Sequence, residues 1–288
     1  MADPRFFLSF GFMRASFHIL LFTAFLLTVP LFYGMGQERK DSLILEGATQ
    51  ISLTRQGQLL VATDKSSLFL LDSLGKVQYQ FSPRRPARVH LLEGWNGLRL
   101  FAFYRDFQEF IFLDRFLLAD GTLSLDPEKT GYARLMAPSQ DGNLWVLDES
   151  SFQLKKIDPQ SQKTIFSTPL DLVLSGKQYD LSFVREYQNQ LYVADRQGKV
   201  LMFDQMGNFK KKLPLENCEW LAFHGEEVYA VEQDSLAFFH PFLLRKRKLA
   251  LPPQAKGTTR FLLSGNQIFW IQKDGLHRMN TPDWMKNH

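Results

Sequence analysis

Six histidines and one cysteine hold most of the nucleophilic and metal-binding potential of this 288-residue chain. The histidines are His18, His90, His224, His240, His277 and His288. None forms a His-x-x-x-His pair and there is no second thiol, so a zinc site has no local signature. Cys218 cannot make an internal disulfide. Its place beside Trp220, at the start of an inner strand, reads as a small buried hydrophobe rather than a nucleophile. No Gly-x-Ser-x-Gly elbow and no Walker-type glycine loop occurs.

The remaining chemistry is ionic and recurrent. Arg88, Arg134, Asp180, Glu219 and Arg260 stand at or just before five successive inner strands, with Gln50 at the sixth. A second set follows the next strand of each repeat: Asp64, Arg105, Asp106, Asp148, Glu149, Asp195, Arg196, Asp234 and Asp274. If the repeats close into a ring, the first set surrounds one mouth of a central channel as candidate ligand-binding groups, and the second opens on the same face. Aspartate in the second set is also ordinary hairpin chemistry, since its side chain bonds backbone two residues on. A metal-assisted hydrolase would need several oxygen or nitrogen ligands converging with an open water position. Only Asp180 and Glu219 are acidic at the mouth, and three arginines beside them oppose a cation. No metal and no cofactor is expected.

A repeating unit positions these groups. Six related strands follow turns rich in Gly, Asn, Asp or Gln: Leu59–Asp64, Leu98–Phe103, Leu144–Glu149, Leu191–Arg196, Val228–Gln233 and Ile268–Lys273. Their spacing matches the roughly 40–45 residues of a four-stranded propeller blade. Each is preceded by an apolar strand and a turn such as Gln56-Gly57 or Asp141-Gly142. Each is followed by a third strand, which in several copies ends on Asp, as in Leu68–Asp72 and Val200–Asp204. A more polar fourth strand completes the unit, as in Val77–Phe81. The sixth unit ends too early for its own fourth strand. The unassigned segment Asp41–Glu46 is expected to supply it, closing the ring and removing open edges.

One unit carries a family resemblance. Leu191-Tyr192-Val193-Ala194-Asp195-Arg196-Gln197-Gly198-Lys199-Val200-Leu201-Met202-Phe203-Asp204, followed by Gly207, resembles an NHL-type repeat. Blades one and three match more loosely, and blades two, five and six keep only the apolar skeleton. The resemblance implies a six-bladed scaffold used mainly for binding, with metal-dependent lactonases or esterases among related propellers.

Composition agrees with an all-β fold. Hydrophobic residues make up 45% of the chain, enough for a large core, and 27 phenylalanines favour pleated surfaces. Beyond the first 36 residues no dozen-residue stretch keeps a helical apolar period. The net charge of +4 lacks the dense basic field of a nucleic-acid binder, so no nucleic acid is expected. The basic runs Lys210–Lys212 and Arg245–Lys248 fall in or beside hairpins and read as solvated edge charges.

At the front, residues 17–33 form an uncharged apolar run, followed by Gly34-Met35-Gly36 and a polar stretch. This pattern suits a signal peptide cleaved after Gly36. The run is short for a comfortable span. The alternative is an uncleaved anchor, and Met13-Arg14 offers a second possible start. The lack of paired cysteines fits a bacterial periplasm.

The expected organisation is therefore a signal peptide at 1–36 (or an uncleaved anchor) and one propeller at 37–288. The fold class is all-β: a six-bladed β-propeller of four-stranded blades, closed by an N-terminal strand. The expected function is an exported, non-catalytic scaffold binding a protein or glycan partner in the periplasm or cell envelope. Membrane contact is expected only through the N-terminal segment, if that segment is retained. The alternative is a lactonase- or esterase-type hydrolase with its site at the channel, and the enzyme question leans towards no.

Overall fold

Turn chemistry sets the strand boundaries. Asp72 Oδ1 accepts hydrogen bonds from the N–H groups of Leu74 and Lys76, both at 2.9 Å. Asp114 does the same for Phe116 and Leu118, and Asp204 for Met206 and Asn208. These aspartates turn the third strand of a blade into the fourth by satisfying backbone donors that the sheet cannot reach.

The computed structural model describes residues 42–95, 99–174 and 178–286. The apolar run at 17–33 and the expected cleavage site lie outside the described residues. The chain enters through β1 (Ser42–Glu46) and then forms blade one from β2 (Ala48–Leu53), β3 (Leu59–Thr63), β4 (Leu68–Leu71) and β5 (Val77–Phe81). Blade two is β6 (Leu91–Glu93), β7 (Leu100–Tyr104), β8 (Glu109–Leu113) and β9 (Ala119–Ser124). Blade three is β10 (Ala133–Pro138), β11 (Leu144–Asp148), β12 (Gln153–Ile157) and β13 (Thr164–Pro169). Blade four is β14 (Leu181–Tyr187), β15 (Gln190–Asp195), β16 (Lys199–Asp204) and β17 (Phe209–Glu216). Blade five is β18 (Ala222–His224), β19 (Glu227–Glu232), β20 (Ser235–His240) and β21 (Arg245–Ala250). Blade six takes β22 (Phe261–Ser264), β23 (Gln267–Gln272) and β24 (Gly275–Asn280) from the C-terminal end.

The sixth sheet runs β1-β24-β23-β22, so the N-terminal strand supplies the outer strand of the last blade, as the sequence predicts. The register pairs Ser42 with Arg278 and Glu46 with Gly275. Gly275 is required there: its φ is +146°, and a Cβ would lie 2.1 Å from the Leu45 carbonyl oxygen. The strand that closes the ring thus rests on a residue without a side chain.

Burial follows position in the blade. β3, β7 and β11 are buried at every residue, because each is sandwiched between neighbouring blades. The outer strands β5, β13 and β21 are largely exposed, and the expected edge lysines fall on outer strands, β17 and β21. Among the described residues, short turns of helix occur only between or after strands, as at Pro127–Thr130 and Asp171–Leu174. Among the described residues no helix is long and apolar enough to cross a membrane.

The antiparallel order gives the ring two faces. Blade-to-blade connections and second-to-third-strand turns lie on one, here the upper face. First-to-second and third-to-fourth turns lie on the other.

Candidate functional site

The inner strands bring four of the five predicted mouth residues into one connected belt on the upper face. Arg134 spans blades three and four: its Nη2 lies 2.6 Å from Asp180 Oδ1, its Nη1 lies 2.7 Å from Glu149 Oε1, and its Nε donates to the Leu181 carbonyl. Arg196 continues the belt, 3.1 Å from Asp180 Oδ2 and 3.8 Å from Glu219 Oε1. Arg260, from blade six, reaches the same Glu219 oxygen at 2.9 Å. Arg88 is exposed and makes no ion pair among the described residues, although its charge acts on Arg260. Gln50 is buried on β2. Glu149 and Arg196 belong to the second-to-third-strand turns, so both predicted sets contribute.

Local backbone features aim these side chains. The β10–β11 register shifts between Ala133 and Leu135, so Arg134 sits at a bulge, a device that redirects a side chain. The β14–β15 ladder shifts in the same way between Leu181 and Phe183, directly after Asp180.

Two turn aspartates act as latches beneath the belt. Asp148 accepts from the Tyr132 and Ser150 N–H groups, from the Ser151 hydroxyl and from Lys155 Nζ at 2.7 Å. Asp195, the aspartate of the NHL-like strand, accepts from the Asp180 and Gln197 N–H groups. The structural reading of these turn residues therefore holds for Asp148 and Asp195: they position the mouth by fixing the backbone beside it. Space for the first latch comes from Gly131, where φ is +71° and a Cβ would lie 2.2 Å from the Asp148 carboxylate.

Protonation follows from these contacts. Burial works to raise the Asp148 pKa, but hydrogen bonds from Lys155, Ser151 and Ser150 outweigh it and hold the carboxyl below its ordinary value. Burial lowers the pKa of Arg260, Glu219 opposes that shift, and Arg196 and Arg88 add repulsion. Arg260 Nε has no hydrogen-bond partner among the described residues. The mouth is thus a crowded set in which three guanidinium groups share three carboxylates, with the Arg88 charge nearby.

Exposed tyrosines flank the belt. Tyr132 and Tyr179 are each 42% exposed, two residues before Arg134 and one before Asp180. Tyr179 is held by stacking on Phe152 at 4.8 Å. Two other aromatics are covered. Tyr104 is the last residue of β7 and only 4% exposed, because the strand carries its side chain into the blade one–two seam. Trp95 packs half-buried against Tyr187 at 5.6 Å. Phe107 and Trp284 remain accessible.

The other end of the channel holds groups that sequence reasoning missed. Arg185 of β14 pairs with Glu93 of β6, and its Nη2 donates to Ser52 Oγ of β2 at 2.9 Å. All three are at most 4% exposed. Ser52 also accepts from the Gly94 N–H, and Glu93 from the Trp95 N–H. Beside them Glu186 accepts from the Ser139 hydroxyl and the Trp145 indole N–H. Tyr187 stacks on Phe223 at 4.3 Å, and its hydroxyl donates to the Gly225 carbonyl. The signal available in sequence was the Arg185-Glu186 pair inside an otherwise apolar inner strand.

Among the described residues the histidines do not converge. His90, His240 and His277 each pair with a nearby carboxylate, in blades two, five and six respectively. Among the described residues no group of three or more His, Cys, Asp or Glu is arranged to hold a metal ion. Cys218 is buried, and burial pushes its thiol up to about 12.

No protein-family model matches the chain, and no curated protein matches it in sequence. Solved structures match its fold. A catalytically inactive virginiamycin B lyase from Staphylococcus aureus with quinupristin is 11% identical, at a TM-score of 0.56, over 85% of this chain and 88% of that one. The β-propeller domain of Myceliophteria thermophila Cps50 is 17% identical at 0.56, over 80% of this chain and 81% of that one. The extracellular domain of a hybrid two-component system from B. thetaiotaomicron is 14% identical at 0.51, over 82% of this chain and 34% of that one. At such identities the likeness is one of fold: the chain is a six-bladed β-propeller.

Proposed function

We propose that the chain is an exported binding scaffold of the bacterial periplasm or cell envelope, and that its upper face takes a protein partner. The observation that supports this reading is the belt Glu149–Arg134–Asp180–Arg196–Glu219–Arg260 with Tyr132 and Tyr179 at its edge. Arginine and tyrosine dominate the energetics of protein interfaces, where rigid aromatic area and forked donors cost little entropy to order. The carboxylates hold the guanidinium groups in place before a partner arrives, which lowers the ordering cost of binding. A glycan partner would use the same forked donors, but the covering of Trp95 and Tyr104 leaves fewer flat stacking surfaces. The hydrolase alternative has no observation in its favour, since guanidinium groups engage both Asp180 and Glu219.

Export rests on the apolar run 17–33 and the small residues Gly34 and Gly36. N-terminal sequencing of the protein from an envelope fraction should begin at Gln37. A retained start would make the segment an anchor.

The face assignment is tested by photo-crosslinking in cells, with the reactive group placed at Tyr132 or Tyr179 and, as control, at exposed Gln160 in a lower-face turn. One discrete adduct from the upper positions, absent from the control and abolished by Arg134→Glu, is the expected result. Adducts of equal yield from all three positions, or none from the upper pair, would overturn it.

A further inference from the structure

The seam between blades one and two differs from the rest of the ring. Its buried apolar residues, among them Leu70, Ala102, Tyr104 and Ile111, form a cluster separate from the main core. Above this cluster a cleft of about 740 Å³ opens between the 82–87 connection and the outer strands of blade two. That volume falls in the range of small-molecule sites, roughly 300–1,000 Å³.

The cleft has an apolar body and a polar end. Phe81, Ile111 and Leu117 contribute apolar wall. At the upper end the Arg85 guanidinium lies 3.6 Å over the Phe107 ring and 2.9 Å from Glu109, which closes that side. Arg84 stands beside it, exposed and without an ion-pair partner among the described residues. Tyr104 also lines the cleft. Its hydroxyl is buried and has no hydrogen-bond partner among the described residues. A buried donor left without an acceptor is destabilising, so an acceptor brought by a ligand is favoured there. Burial, with Glu109 nearby, raises the Tyr104 pKa, so the phenol stays neutral and has a proton to donate. Glu109 is engaged by Arg85 and Ser124, and no acceptor among the described residues reaches the Tyr104 hydroxyl, so a bound anion could supply one.

We propose that this cleft binds an amphiphilic anion, an acyl chain with an anionic head. The chain would lie along Phe81, Ile111 and Leu117, with the head between Arg84 and the Tyr104 hydroxyl. This site is remote from the belt and does not depend on the protein-binding reading. The head could belong to a free fatty acid or to a longer lipid, and both offer the same chemistry.

The test is calorimetric titration of the full chain with dodecanoate, dodecanol and dodecyltrimethylammonium below their aggregation concentrations. Dodecanoate should bind at one site per chain. Tyr104→Phe and Arg84→Glu should each weaken it about tenfold, the effect of one lost hydrogen bond or charge contact. Ala119→Trp, at the partly exposed rim, should block the site, and Ile111→Trp should do so from inside if it folds. Equal binding of dodecyltrimethylammonium, or dodecanoate affinity unchanged in Ala119→Trp and Tyr104→Phe, would overturn the assignment. Competition by a phosphatidic acid dispersion at matched chain concentration would identify the source as a longer lipid, and its failure a free acid.

Discussion

The two ends of the channel use the same pair of groups, guanidinium and carboxylate, in opposite surroundings. At the upper mouth the Arg134, Arg196, Asp180 and Glu219 side chains are roughly a quarter to two-fifths exposed. At the lower end Arg185 and Glu93 are almost wholly buried. Water screens the first set, so each pair contributes little to stability and can exchange partners. The second set has lost its hydration, and each charge depends on the other and on Ser52. Identical chemistry thus serves as an adaptable surface at one end and as an internal clasp joining blades one, two and four at the other.

Breaking the clasp should have the largest effect. Glu93→Ala leaves the Arg185 charge buried and unpaired, and should cost about 3–5 kcal/mol in urea unfolding. A double change to Glu93→Leu and Arg185→Met should recover much of that loss, because apolar pairs of similar volume often replace buried ion pairs without penalty. If Glu93→Ala unfolds at the parent's midpoint, the lower end is as solvated as the upper and the comparison fails.

The latch beneath the mouth should come next. Asp148→Ala strips partners from the Tyr132 N–H and Lys155, for an expected cost of about 1–3 kcal/mol. Acid should reach the same latch. Because its native pKa is depressed, the unfolded chain takes up the proton first. The stabilisation is therefore complete above the ordinary aspartate value of about 3.9 and is lost as pH falls through the lower native value. Unfolding midpoints followed downward from pH 6 should fall less steeply in Asp148→Ala than in the parent.

The mouth itself should be nearly silent in stability. Arg134→Ala is expected to shift unfolding by about 1 kcal/mol or less, while abolishing the crosslink from Tyr132. Loss of several kcal/mol would instead place the belt among the structural clasps. The smallest effect concerns Cys218. With its thiol raised and covered, the native protein should not react with a disulfide reagent at pH 7, whereas the unfolded chain should react fully.

Most of the fold was legible because its signals are local. A turn aspartate bonds backbone two and four residues ahead, and the NHL-like strand 191–204 carries its own turn and its own pairing. The mouth residues were legible once the repeats were counted, since equivalent positions in a ring converge. Which of them pair was not legible. Arg134 meets Asp180 because a bulge redirects it, and Asp148 and Asp195 became latches rather than ligands because Tyr132 and Asp180 present N–H groups to them.

The period, the six blades, the polar outer strands and the N-terminal strand that closes the ring can all be read along the chain. Each depends on composition and spacing within one repeat, or on the count of strands left over. Packing between blades settled that Arg185 would meet Glu93, 92 residues away, and that the Tyr104 hydroxyl would end buried with no partner among the described residues. Those outcomes arise where side chains from different blades compete for one small volume, and no pattern along the chain records which of them will share it.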